Sequence, residues 1–308
     1  MKHRILPLFL FLTTGIPGFA SAEGFYNAEA GVRYDNNIGN GQSSPYSASY
    51  ITPYSTSPGA PYIASDSIFF AAVSAGQSIL LNDTDDSLTL HGRLKNESFN
   101  RFHGMSNLSL DGSLAFRRKF GMGPYAPWLS ASLSLDRMKY GDNIRDGWLQ
   151  QGGIKGGKRI TERWNVWAEY ILETRRSDHT EAVNPIISGA VFEQKNRNLS
   201  LNMEYAHSDS LFFTLGYGLR TGDVVVTALA DLTSLYAVAK AIRPDMALGA
   251  NQDAYRLDGN TSILNAGLGM TINPRFLLSV NYQRQVTHAD GGNNYSKSLS
   301  SITGSYNF

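Results

Sequence analysis

The side chains best suited to chemistry fall at alternating positions of short segments: Glu29 and Arg33; His91, Arg93 and Lys95; Asp111; Asp136; Glu169 and Glu173; Glu204; Arg220. Both signs of charge are present, set among Ser, Thr, Asn and Gln on the same parity. Such groups, brought together, do one of two things. Around a water-filled passage they select solutes by charge, as rings of charged side chains do in channels. Around a narrow interior they pair with one another and fill it. His91, Arg93 and Lys95 place three basic groups on one face of one segment. Left unpaired, they concentrate anions; Asp111 in the next segment offers the alternative of pairing.

Other chemistries find less support. Asp35, Asn37 and Gly39 have the spacing that opens a calcium loop, but its twelfth position is Tyr46 and not the bidentate Glu such a loop needs. Asp83, Asp85 and Asp86 cluster where Asp commonly serves a turn. The histidines His91, His103, His179, His207 and His288 show no H-x-H or H-x-x-x-H spacing, so no metal site is expected. No G-x-S-x-G occurs. His103 with Ser106, and His288 with Ser296, are pairs that a hydrolase could use, and their spacing is equally that of polar rim residues. With no cysteine, thiol redox chemistry and cysteine-bound metals are excluded. A net charge of +1 lacks the basic footprint of a nucleic-acid binder. No cofactor is implied.

The elements that must carry these residues are strands. Tyr26, Ala28, Ala30, Val32 and Tyr34 alternate with Asn27, Glu29, Gly31 and Arg33. Successive side chains of a strand point to opposite faces, so one face is apolar with aromatic ends and the other is polar. The pattern returns around Leu88–Lys95, Leu108–Phe116, Leu129–Asp136, Asn198–Tyr205, Phe213–Arg220, Leu264–Thr271 and Phe276–Gln285, and at the end of the chain from Ser301 to Phe308. It is noisier in Ser67–Leu81, Gly147–Ile160 and Trp164–Glu173, where Trp167 and Ile171 fall on the polar parity. The connections alternate in length: five short and six long ones join about twelve strands. The longest are 35–66, rich in Ser, Tyr, Pro and Gly, and 221–254. In the latter, Val224–Val226 is β-like and Ala228–Ile242 has helical spacing. That helix is expected either to fold inward or to lie on the rim.

The first 22 residues read as a signal peptide. Lys2, His3 and Arg4 precede the apolar run Ile5–Leu12, and Ala20-Ser21-Ala22 supplies the cleavage pattern. Residues 23–308 contain no apolar run of the roughly 20 residues that a spanning helix needs. Only 17% of residues are charged, with Gly, Tyr and Phe abundant, a composition suited to strands with aromatic girdles.

An amphipathic last strand ending in Phe308 resembles the C-terminal signature of Gram-negative outer-membrane β-barrels. The alternation from Gly24 to Phe308 resembles that class throughout. The segments Tyr34-Asp35-Asn36-Asn37 and Ala254-Tyr255-Arg256-Leu257-Asp258 resemble those of porin-like barrels without assigned activity. The resemblance implies an all-β, antiparallel up-and-down transmembrane barrel of about twelve strands in the outer membrane. Its implied surroundings are lipid and lipopolysaccharide outside and small polar solutes inside, with the barrel assembly machinery engaging Phe308. The function expected first is a passive channel for small hydrophilic solutes. The alternatives are a structural or surface-interaction barrel acting through its loops, and an outer-membrane lipid hydrolase.

Overall fold

The computed structural model describes residues 22–42, 63–81, 86–182, 186–229 and 233–308. The expected signal peptide apart from its last residue, Ala22, most of the 35–66 connection, Tyr46, Asp83 and Asp85 lie outside them.

Thirteen strands form one antiparallel sheet. They are β1 (Ala22–Asp35), β2 (Asp66–Leu81), β3 (Asp86–Phe99), β4 (Asn107–Lys119), β5 (Trp128–Tyr140), β6 (Gly147–Arg159) and β7 (Trp164–Ser177). The chain continues with β8 (Gln194–Ala206), β9 (Leu211–Leu229), β10 (Ala241–Pro244), β11 (Gln252–Asn273), β12 (Phe276–Ala289) and β13 (Tyr295–Asn307). Each strand pairs with the next in sequence, except that β9 pairs with β11 over its whole length. The sheet closes where β1 takes β13 on one edge and β2 on the other. Twelve strands therefore make the barrel. The short β10 occupies the edge of β11 beyond the end of β12, pairing Ala241 with Arg256.

Side-chain parity sets inside from outside. Large apolar side chains stand in rows on the outer wall, Val73 at 57%, Leu133 at 66% and Ile302 at 57% exposed. In a soluble sandwich those rows would be covered by a second sheet; here the opposite, polar parity is the one turned inward. A wall of this kind is stable only against hydrocarbon. Aromatic residues mark its short-turn end. Trp164 packs on Tyr205 with ring centroids 4.7 Å apart, and Tyr306 meets Phe308 edge-on at 5.0 Å.

The short turns cluster at one end of the barrel and the long connections at the other, as the sequence predicts. The strands are longer than their alternation suggested, and this corrects the 221–254 region. β9 runs to Leu229 and β11 begins at Gln252, so both extend well into the expected loop. The expected helix over Ala228–Ile242 shrinks to one turn, Thr233–Tyr236, followed by β10. Pairing with β11 offers the β-branched run Val224–Val226 a complete ladder, and that ladder outweighs helical spacing beyond it.

At the long-loop end the connections pack into a cap. Val224, Val226, Leu235, Ile242, Tyr255 and Leu257 form one buried apolar cluster. Val191 and Phe192 form another with Ala241 and Ala254. In a third, Leu248 from the β10–β11 connection joins Ile38, Ala64, Ile68 and Phe99 from the β1–β3 side. The Asp245–Gly249 segment thus leaves β10 and reaches the connections after β1, β3 and β5. Ala247 lies so close to Gly104 that a side chain on that glycine would come within 2.9 Å of it. Since β3 stands five strands around the ring from β11, the segment crosses the mouth and does not lie along its rim.

The wall makes a direct prediction. Leu133→Arg, at mid-strand on the outer face, should destabilise the folded protein in lipid vesicles by about 2–4 kcal/mol. Ser132→Arg points into the interior and should cost far less in the same urea titration. Equal losses would contradict the assignment of faces.

Candidate functional site: the barrel interior

The interior is divided into two arcs. Strands β1 and β3–β9 carry the charged residues. Strands β11 and β12 carry amides, with the Gln283 side chain donating to Asn265 at 2.7 Å and Gln285 donating to Gln283 at 2.6 Å. Gly216 on β9 and Gly267 on β11 leave room for the amide heads of Asn202 and Asn281, whose oxygens would sit about 2.4–2.6 Å from an added side chain.

On the charged arc, most of the predicted residues meet opposite charges. Arg93 pairs with Glu29 across the barrel wall from β3 to β1. Arg33 reaches Glu97 at 3.0 Å, and Lys95 reaches the same carboxylate oxygen at 2.6 Å. Glu97 is the anchor of this cluster and also accepts from the Asn107 amide at 3.2 Å. Sequence reading ended the strand at Lys95 and so missed Glu97, although it shares the parity of Arg93 and Lys95. On the far side, Glu173 accepts from Arg220 at 3.1 Å, Gln151 at 3.0 Å and Asn196 at 3.1 Å. His91 lies 3.9 Å from Asp111 and stacks on Phe25, with ring centroids 6.0 Å apart. The basic stripe is therefore partnered along its length.

Asp111 and Asp136 face each other in register on β4 and β5, while Arg93 stands opposite Asp111 on β3. One oxygen of Asp136 is buried without a hydrogen-bond partner among the described residues. Both carboxylates, together with Glu169, line a polar cavity of about 530 Å³. It extends from Tyr140 and Glu97 near the cap down to Gly153 and Ile171, and serines 109, 113, 132 and 134 supply much of its wall. Glu204 lines a second cavity of about 340 Å³ at the short-turn end. Neither cavity is filled by apolar packing.

Above the larger cavity, the cap is fastened by charge. Arg145, from the β5–β6 connection, donates to Asp245 at 2.5 Å, with both side chains buried. Thr227 donates to the same carboxylate oxygen at 2.8 Å. The Arg145 guanidinium lies 4.3 Å over the Phe192 ring, and Arg175 donates to the Arg145 carbonyl at 2.8 Å. The two partners are 100 residues apart, and nothing in their local sequence signals the contact. Outside the membrane-spanning wall, Asp178 takes both Nη groups of Arg137. This hydrogen bonding holds the Asp178 carboxyl below its ordinary range.

The other sequence candidates have structural occupations. Asp35 pairs with Lys297 at 2.8 Å, and Asn37 closes a loop on Gly41 through bonds of 2.8 and 2.9 Å. The Ser106 hydroxyl accepts the Phe99 amide at 3.0 Å, and His103 accepts the Ser106 amide through its carbonyl.

No family model matches this chain, and no curated protein matches it. Among solved structures, it is similar to the COG4313 outer membrane channel from Pseudomonas putida F1. Identity is 12%, 96% of this chain and 100% of that one are covered, and the TM-score is 0.51. The fold is that of an outer-membrane β-barrel. A NanC porin is also similar in outline, at 8% identity, with 91% of this chain and 98% of that one covered and a TM-score of 0.45.

Two outcomes follow. Arg145→Ala strands Asp245 as a buried, unpaired charge and should destabilise the cap by about 3–5 kcal/mol; limited proteolysis should then cut within 245–250 much faster, and the double variant Arg145→Met/Asp245→Leu should restore resistance. The Arg137–Asp178 contact carries a definite pH dependence. Because the folded carboxyl lies below its ordinary value of about 4, its contribution is present above that value and is lost as pH falls through the folded value. Pepsin cleavage near Asp178 should therefore rise on acidification within that window, and Asp178→Asn should remove the pH dependence.

Proposed function

We propose that the protein is an outer-membrane channel through which small hydrophilic solutes pass passively. The carrying observation is the closed barrel whose inward parity is polar and encloses a cavity of about 530 Å³ lined by serines and carboxylates. A structural barrel has no need to leave such space, and an interior filled for rigidity would be expected to hold packed side chains instead. Interior ion pairs fit this reading: they fix the charged heads against the wall and keep them out of the path.

The alternating connections orient the barrel. Short turns face the periplasm and long loops the exterior in proteins of this build, which puts the cap on the outer side. Phe308, whose backbone amide is held by the Tyr26 carbonyl at 3.1 Å, is then the end presented to the assembly machinery. The cap favours a second reading for its loops, a surface that contacts a partner, because the connections share buried apolar cores. That role is compatible with a channel beneath it.

Purified protein in planar bilayers tests the proposal. Small, discrete conductance steps in KCl are expected. Arg145→Ala, which loosens the segment across the mouth, should give larger steps than wild type. A barrel that conducts nothing at any voltage, both as wild type and with the cap loosened, would overturn the reading.

A further inference from the structure

Three cations toward the short-turn end of the lumen, Arg117, Lys155 and Arg159, differ from those above. In the upper lumen, Arg33, Arg93, Lys95 and Arg220 each meet a carboxylate. Lower down, Arg117 lies 4.4 Å over the Trp128 ring, and Lys155 lies 5.1 Å from the centroid of Trp167 and 6.0 Å from that of Trp128. Neither is ion-paired among the described residues. Arg159 joins them, bound through one nitrogen to the Glu162 carbonyl at 2.8 Å.

The strands place these groups deliberately close. Ser130 stands between Arg117 and Lys155 in register across β4, β5 and β6, so the two cations are two strand spacings, about 10 Å, apart. One level nearer the short turns, Gly157 stands between Trp128 and Trp167. A side chain there would come within 2.8 Å of the Trp128 ring and of the Trp167 β-carbon, so the glycine leaves the space that both side chains occupy beside Lys155. An aromatic face fixes a cation without neutralising its charge or consuming its N–H donors. A carboxylate partner would do both. Arg117, Trp128 and Arg159 line the cavity of about 340 Å³, and Lys155 adjoins that group through the Trp128 ring.

Two carboxylates face the group. Glu204 lines the cavity, and Glu169 lies opposite Lys155 in register. Neither is within ion-pairing distance of Arg117, Lys155 or Arg159 in the structure. Positive charge between low-dielectric walls raises the local concentration of anions.

We propose that this end of the lumen is a binding site for small oxoanions, carboxylates or phosphates, with Arg117, Lys155 and Arg159 as its ligands and Trp128 and Trp167 as their supports. The proposal rests on reading the lumen as a solute path, and it adds the class of solute.

The test is the tryptophan emission of purified protein in zwitterionic detergent, titrated with sodium phosphate and, separately, sodium succinate, against sodium chloride at matched ionic strength. A saturable change with either oxoanion is expected, and the stronger responder distinguishes phosphate from carboxylate. Lys155→Gln and Arg117→Gln should each weaken it about tenfold or more, the loss of one charge-assisted hydrogen bond. Glu169→Gln removes the opposing charge and should tighten it; this variant keeps every proposed ligand and guards against a glutamine variant that fails to fold. No saturable response in wild type, or equal responses in wild type and Lys155→Gln, would overturn the proposal. Conductance in KCl is read separately: binding without conductance removes the channel and keeps the site, and conductance without binding does the reverse.

Discussion

A peptide group in hydrocarbon has no water to bond, and each unsatisfied N–H or C=O there costs several kcal/mol. A sheet escapes this only by having no edge. In this protein the requirement is met at the seam where β1 pairs with β13, Asn27 opposite Asn307 through Asp35 opposite Leu299. Every other feature follows from that closure. Once the ring is shut, strand parity assigns each side chain to lipid or lumen, and a slip of one residue would exchange the two faces entirely. The alternation of Leu with Ser along β5, or of Leu with Asn along β8, is the sequence's statement of one permitted register.

Closure also concentrates charge. Twelve strands enclose an interior wider than that of the barrels of about eight strands that side chains fill, and narrower than that of porins of roughly 16–18 strands. Charged residues that would be dispersed on a soluble surface are turned toward one another within the ring, where several meet directly. The protein answers in two ways. In the upper lumen, Glu97 and Glu173 each gather several donors, so cations from β1, β3 and β9 are neutralised locally. Near the short turns, indole rings take the place of carboxylates, and positive charge survives. The same closure creates a mouth that the loops can cross, and there the buried Arg145–Asp245 pair joins connections that no strand pairing brings together.

The sequence makes the barrel legible because its rules are local. Parity, turn length and strand number need only neighbouring residues, and the assignment of Glu29, Arg93, Asp111 and Arg220 to the polar parity required nothing more. What parity leaves unstated is partner choice. His91, Arg93 and Lys95 read equally as a free stripe or a paired one until the register places Glu29 and Glu97 within reach. The 221–254 region misled for a related reason. Its helical spacing is a local signal, while the ladder between β9 and β11 is a contact between Val224–Leu229 and Gln252–Leu257. Gly147–Ile160 was noisy because its glycines serve neighbours: Gly157 has no side chain of its own to read, and its meaning lies in Trp128 and Trp167.

The cap and the lumen obey different physics, and this separates the stability of one from that of the other. The wall is held by a continuous backbone ladder with hydrocarbon outside, so no single side chain decides whether it exists. The cap is a small soluble-style assembly, with three apolar clusters and a buried ion pair, built on loops that water can reach. Its opening frees no ladder bond between barrel strands. A buried Arg–Asp pair is weakly stabilising when intact and costly when halved, so it acts more as a register for the loops than as their glue. Leu248 and Asp245 lie three residues apart on one strap. The first is seated among Ile38, Ile68 and Phe99, and the second against Arg145. The strap therefore has two anchorages on different connections of the mouth, the β1–β3 side and the β5–β6 connection, and its position is set by both together. Loss of either leaves the barrel intact and the strap hinged on the other.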